Sequence, residues 1–212
     1  MDTPTAFARP CPKSLILCLS HLRWDLVFQR PQHLMTRAAA THQVVYFEEP
    51  VREAAKWPSL RSRVDRSGVR IVTPVVPVDC QDVTGALRAL VDGLIRSVPH
   101  DQLVAWYYTP MALDFAGHVT ADVTVYDCMD ELSAFRDPPP GLRANEERLF
   151  RRADLVFTGG MSLYEAKRAG RGRWQVYEGT NGTVDGPSGG DVGEAAAQQI
   201  TAGMLRTALA AG

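Results

Sequence analysis

Short runs of uninterrupted apolar residues recur along this chain, each followed by a polar stretch and then by apolar residues at helical spacing. The runs fall at 14–20 (SLILCLS), 43–47 (QVVYF), 69–76 (VRIVTPVV), 102–107 (QLVAWY), 122–126 (DVTVY), 154–158 (DLVFT) and 174–177 (WQVY). Strands that read as continuous apolar runs, not as alternating ones, are buried on both faces, the habit of parallel sheets covered by helices. Between them, 83–98 sets Leu87, Leu90, Val91, Leu94 and Ile95 on one helical face. Further helices are predicted at 31–40 and 110–118, each opened by a proline, at 142–152 after the proline run 138–140, and at 162–168. Pro74 inside the third run places that strand near an edge. Residues 51–68 are charged and irregular and predict a short helix and a loop. The alternation defines an α/β chain with a Rossmann-like parallel sheet and helices on both faces.

The ends differ from this middle. Residues 1–12 read as a flexible arm and 13–185 as the domain. In 186–212 the pattern predicts a linker continuing a Gly-, Thr- and Asp-rich loop, then an Ala-rich helix carrying Ile200, Met204, Leu205 and Leu209.

The connection after the first strand is unusual. Residues 20–34 read SHLRWDLVFQRPQHL, where a strand-to-helix loop is ordinarily short and rich in Gly, Ser or Asp. Open α/β sheets bind ligands at the carboxyl ends of their strands, and this loop brings His21, Arg23, Trp24, Asp25 and Arg30 there. Arg23 and Arg30, with the start of the following helix, could hold a phosphate, and Trp24 could stack on a sugar ring. The competing reading is an Arg23–Asp25 salt bridge over a buried Trp24. His33, inside the helix, reads as packing. After the fifth strand come Asp127, Asp130 and Glu131, acids placed for a general base or a sugar-hydroxyl acceptor, with helix capping by Asp130 as the plainer account. Tyr108, after the fourth strand, suits carbohydrate or packing. Glu48, Glu49 and Pro50 close the second strand, where an acidic residue can hold a ribose in a dinucleotide fold, and Glu49 is the candidate contact. Gly159 and Gly160, after the sixth, permit close approach of a ligand or a tight turn.

Composition removes several classes. The 212 residues are 45% apolar and 22% charged with a net charge of −1, which gives no argument for a nucleic-acid partner. No apolar stretch approaches the ~18 residues of a membrane span, and the first residues lack the pattern of a secretory signal. Cys11, Cys18, Cys80 and Cys128 are scattered, which reads as buried or idle thiols in a reducing cytoplasm. Residues 21–31 contain no glycine, which disfavours a nicotinamide or flavin site of the Gly-x-Gly-x-x-Gly kind. There is no phosphate loop ending in Gly-Lys-Ser/Thr, no Gly-x-Ser-x-Gly and no His-Glu-x-x-His. Neither a metal nor a cofactor is expected.

Four segments carry a resemblance: HLRWDLVFQRPQHLMTRAA (21–39), VVYFEEP (44–50), VTVYDCMDELSAFR (123–136) and ADLVFTGGMSLYEAKR (153–168). With the strands between them they span 14–178 and resemble the N-terminal half of GT-B glycosyltransferases. The group is the large retaining, glycosyltransferase-4-like one, and within it bacterial cell-wall and exopolysaccharide transferases of the kind assigned to teichuronic acid synthesis. The resemblance implies two Rossmann-like domains facing across a cleft, the N-terminal one holding mostly the acceptor and the C-terminal one the nucleotide-sugar donor. Related enzymes often place a functional histidine at the end of the strand matching 122–126. Asp127 stands there, with Asp130 nearby, and these two are the catalytic candidates. His21, Arg23, Trp24, Arg30, Glu49, Tyr108, Glu131, Gly159 and Gly160 are the candidate substrate contacts.

The expected function is transfer of a sugar from a nucleotide-sugar donor to a saccharide or lipid-linked acceptor in cell-envelope polysaccharide synthesis. The expected location is the cytoplasm, compatible with peripheral contact at the inner membrane face. Relatives pass through an Asn-Gly-Val-Asp turn into the donor domain. Here Asn181, Gly182, Thr183, Val184 and Asp185 approximate that turn, and only residues 186–212 follow. The expectation is therefore a truncated transferase lacking its donor domain, with apolar surface near Val156, Phe157 and Tyr177 that promotes self-association. The alternative is a non-catalytic glycan- or partner-binding module. A self-contained, flavodoxin-like nucleotide-binding protein is a third reading.

Overall fold

The computed structural model describes residues 13–129 and 138–158. The expectations for the arm, for 130–137 and for everything from residue 159 onward lie outside these residues. They include the sixth helix, the seventh strand and the Ala-rich helix.

Among the described residues one eight-stranded sheet forms the frame. It contains β1 (Ser14–Leu19), β2 (Gln43–Phe47), β3 (Val51–Glu53), β4 (Ser59–Val64), β5 (Arg70–Pro77), β6 (Gln102–Tyr107), β7 (Val123–Cys128) and β8 (Leu155–Thr158). The order is β3-β5-β2-β1-β6-β7-β8, with β4 also paired to β5. All neighbours are parallel except β4, which runs antiparallel to β5. Strands β1 and β7 are buried along their whole length, as continuous apolar runs predict when both faces are covered.

Among the described residues the two faces are covered unequally. Helices α2 (Val83–Ser97), α3 (Leu113–Ala116) and α4 (Leu142–Arg152) cover one face. Their Leu87, Val91, Leu94, Leu113, Ala116 and Leu149 pack on Leu15, Leu17, Val45, Phe47, Tyr107 and Tyr126. Among the described residues α1 (Arg30–Ala38) alone covers the other, where Met35 joins Ile16, Cys18, Val44, Tyr46, Val104, Trp106, Val123 and Val125. Side chains alternate across a strand, so residues of even number in β1, β2 and β6, and of odd number in β7, belong to the α1 face. Val156 packs on the first face and Phe157 on the second, both partly buried, with Phe157 stacked on Trp106 at 5.7 Å between ring centroids.

Two expectations are corrected. Residues 51–68 are not a short helix and a loop: they form β3, β4 and the turn into β5. That turn closes through Asp65, whose carbonyl accepts from Gly68 N–H at 3.0 Å and whose carboxylate accepts from Ser67 N–H at 2.7 Å. Gly68 has φ +88°, a left-handed conformation that glycine adopts without a Cβ clash. The sheet is consequently mixed and not wholly parallel. Helix α1 begins at Arg30, one residue before Pro31. The strand holding Pro74 does lie next to an edge: β4 flanks it on one side, while β2 and then β3 flank it on the other. Pairing with β2 stops at Val72 and with β3 starts at Val75, so Thr73 and Pro74 face the break between them.

Candidate functional site

The strand order reverses between β1 and β6. The chain builds outward from β1 through β2 to β5, then returns to place β6 against β1 on the opposite side. In an open α/β sheet such a switch point leaves a crevice at the carboxyl ends of the two strands, and ligands bind there. The first loop, the start of α1, Tyr108 and the end of β7 all lie at this end. Tyr108 N–H donates to Leu19 O at 2.9 Å, which ties the ends of β6 and β1 together.

Asp127 is completely buried at the end of β7, on the α1 face. Arg30, the first residue of α1, donates Nε–H to both of its carboxylate oxygens at 3.0 and 3.1 Å. The Arg30 side chain is 37% exposed, so the pair reaches from the closed interior to the solvent side. Burial pushes the Asp127 carboxyl above the ordinary carboxylate range, and the Arg30 guanidinium opposes that rise. Beneath the pair, the Trp106 indole N–H and the Tyr108 hydroxyl lie close enough to Asp127 to favour its charged form. Neither completes a hydrogen bond in distance and angle, and both are buried. Burial first, and the Asp127 charge second, push the Tyr108 hydroxyl and the Cys18 thiol well upward, so both stay neutral.

A second network closes the first loop over β2. Glu48 is buried; its Oε1 accepts from Trp24 N–H at 2.7 Å and its Oε2 from the Thr73 hydroxyl at 2.6 Å. Arg23 lies 3.5 Å from Oε2. Tyr46 donates its hydroxyl to Ser20 Oγ at 2.8 Å, and Trp24 packs edge-on against the Tyr46 ring at 4.9 Å.

The candidates sort accordingly. Arg30, Asp127 and Tyr108 come together at the switch point. Arg23 and Trp24 belong to the Glu48 network, where Trp24 is buried and cannot stack on a sugar. Arg23 pairs with Glu48 and not with Asp25, which is held instead by Arg63 at 2.5 Å. His21 is half-buried in the first loop, and Glu49 is exposed beside its inward-turned neighbour. Asp130, Glu131, Gly159 and Gly160 lie outside the described residues. His33 packs edge-on against Phe28 at 4.5 Å. The start of α1 is less open to a ligand than its dipole suggests, because Pro31 has no N–H and Gln29 N–H donates to Gln32 Oε1 at 3.0 Å.

Motif reading passes over Trp106, and of the two acids that close the second strand it keeps only Glu49 as a substrate contact. Alternation along the strands identifies Glu48 and Trp106: 44, 46 and 48 in β2, and 104, 106 and 108 in β6, share the α1 face.

The fold defines a doubly wound, Rossmann-like α/β domain whose switch point is the candidate ligand site. No protein-family model matches the chain, and no curated protein matches it. Among solved structures it is similar to an E. coli structure described as trehalose-6-phosphate bound with UDP-2-fluoro glucose. That likeness has 11% identity and a TM-score of 0.47 and covers 72% of this chain and 41% of the other. An alpha,alpha-trehalose-phosphate synthase (UDP-forming) from Burkholderia xenovorans in complex with glucose-6-phosphate is similar at 12% identity and a TM-score of 0.42, covering 68% of this chain and 39% of that one. The chain therefore spans about two fifths of the length of these neighbours. Among the described residues no helix is long and apolar enough to cross a membrane, and no cluster of three or more His, Cys, Asp or Glu could hold a metal ion.

Proposed function

We propose that this domain is the acceptor-side half of a retaining GT-B glycosyltransferase. It serves transfer of a sugar from a nucleotide-sugar donor to a saccharide or lipid-linked acceptor in cell-envelope polysaccharide synthesis. The observation that carries the reading is the meeting of Arg30, Asp127 and Tyr108 at the switch point. Two segments that resemble the family, 21–39 and 123–136, supply Arg30 and Asp127, and the sheet brings them within hydrogen-bond distance across 97 residues of chain.

Within this reading the protein needs no metal to recognise charge, because arginine side chains at the crevice supply it. Asp127 is sealed from solvent and does not reach a substrate. Its part is to hold Arg30. The donor and its diphosphate belong to a second domain facing the crevice.

Calorimetry on this chain with short cell-wall glycans and with a panel of nucleoside-diphosphate sugars tests the proposal. Glycan binding without nucleotide binding is expected. Tight nucleotide-sugar binding by this chain alone would overturn the acceptor-side assignment.

A further inference from the structure

Strand β4 is an edge strand, and β5 is its one partner among the described residues. Asp65 N–H donates to Val69 O at 3.0 Å, one step beyond the Val64–Arg70 pair of the β4–β5 ladder. In an antiparallel ladder alternate residues bond to the partner, and those between them turn N–H and C=O the other way. Ser59, Arg61, Arg63 and Asp65 therefore face β5, while Leu60, Ser62 and Val64 direct their amides outward. Pro74 agrees with this assignment: it stands opposite Leu60 and has no N–H, as suits a pair that exchanges no bonds.

Exposed edges are ordinarily blunted by proline, a bulge, a short strand or bare charge. β4 runs six residues in unbroken register and contains no proline. Arg61 and Arg63 each meet a carboxylate, Glu53 at 2.9 Å and Asp25 at 2.5 Å. About Ser62 the strand reads nearly the same in both directions: Leu60, Arg61, Ser62, Arg63, Val64. Antiparallel pairing of two copies centred there sets Ser62 against itself, Leu60 against Val64 and Arg61 against Arg63. The outward amides of Leu60, Ser62 and Val64 then meet one another in hydrogen-bonded pairs. The opposed arginines are already ion-paired, which offsets the repulsion of like charges placed opposite each other. Val64, 61% exposed, gains an apolar neighbour, and Trp57, 69% exposed just before β4, comes level with the partner's turn after β4.

We propose that β4 is a dimer interface: two copies of this chain pair their β4 strands antiparallel about a two-fold axis at Ser62 and join their sheets into one. A closed two-fold contact needs a surface that complements itself, and the symmetry of the strand about Ser62 supplies it in both amide pattern and side chains. The inference is independent of the acceptor-side reading.

Analytical ultracentrifugation of the full chain over a concentration series should show a monomer–dimer equilibrium. Ser62→Pro removes one outward N–H from each copy and keeps the bonds to β5, since proline is tolerated on an edge strand whose N–H faces solvent. It should raise the dimer dissociation constant about tenfold or more. Far-UV circular dichroism and thermal unfolding of the dilute variant should match the parent. Ser62→Cys reads the register directly: opposed hydrogen-bonded residues have Cα atoms about 5.5 Å apart, within the span of a disulfide. Under mild oxidation it should cross-link well above the background of the parent's own cysteines. Val64→Cys, set opposite Leu60 and not opposite its own copy, should not. If Ser62→Pro does not fold, the two cysteine variants decide. A monomer at every concentration, a dimer that Ser62→Pro leaves as tight, or Ser62→Cys cross-linking no better than Val64→Cys overturns the inference.

Discussion

Glu48 and Asp127 stand at the ends of β2 and β7 on the same face of the sheet. Each is buried, and each meets an arginine from the connection after β1. Glu48 is saturated: a backbone N–H, a hydroxyl and a guanidinium converge on it and lock the first loop onto β5. Asp127 has Arg30 and two buried donors that stop short of bonding. Burial of a carboxylate is compensated only by the bonds it makes. The saturated acid is accordingly well compensated, while Asp127 relies mainly on Arg30. The two arginines follow the same division. Arg23 reaches the carbonyl of Pro50 at 3.4 Å besides Glu48, whereas Arg30, 37% exposed, meets a completely buried carboxylate.

The sharpest way to break this comparison is Glu48→Ala. It leaves Trp24 N–H, the Thr73 hydroxyl and the Arg23 guanidinium without their acceptor, and should cost about 3 kcal/mol of stability. Urea unfolding measures it, and a loss as small as that of a surface substitution would put Glu48 outside the frame. Next in size is Tyr46→Phe, which removes the hydroxyl that joins β2 to Ser20 and should cost about 1 kcal/mol in the same assay.

Asp127→Asn should cost much less stability than Glu48→Ala. Asparagine keeps an acceptor for Arg30 Nε, and the arginine it leaves behind is partly solvated, so stability should fall by no more than about 1 kcal/mol. The pH dependence separates the two proteins further. Burial raises the native carboxyl above its unfolded value of about 3.9, so the native state holds this proton more tightly than the unfolded chain does. The stabilisation from that proton is complete below the unfolded value and is lost as pH rises through the raised one. Cys18 and Tyr108, pushed upward, do not titrate in that range. Thermal unfolding from acid to neutral pH should therefore show a decline in the parent that Asp127→Asn lacks. Parallel curves would mean that Asp127 is not held buried.

How far the sequence leads can be judged from the same residues. Continuous apolar runs in β1, β2, β6 and β7 place the sheet, because burial on both faces leaves few polar positions to obscure them. The parity of those runs separates Glu48 from Glu49, and adds Trp106 to Tyr108. It does not select arginine partners. Arg23 meets Glu48 and not Asp25 because of the path of a ten-residue loop, which is settled by packing of Trp24 on Tyr46 and not by spacing. Strand β4 was illegible for another reason. Its sequence, SLRSRV, is almost wholly exposed, so it has no apolar pattern, and it exists by pairing with β5 across the Asp65–Gly68 turn.

The smallest effect expected sharpens the comparison from outside both networks. Asp25 and Arg63 make the shortest ion pair of the first loop, at 2.5 Å, and join its tip to β4. Distance alone would rank this contact above Arg23–Glu48. Exposure reverses the ranking: the two side chains are 75% and 47% accessible, so water and salt screen the attraction and ordering two long side chains opposes it. Arg63→Ala should change stability by less than about 0.5 kcal/mol, and the difference should shrink as salt is added. A loss comparable to that of Glu48→Ala would show that the loop is held from its tip. The contrast between the saturated acid at β2 and the incompletely bonded one at β7 would then have to be redrawn around β4.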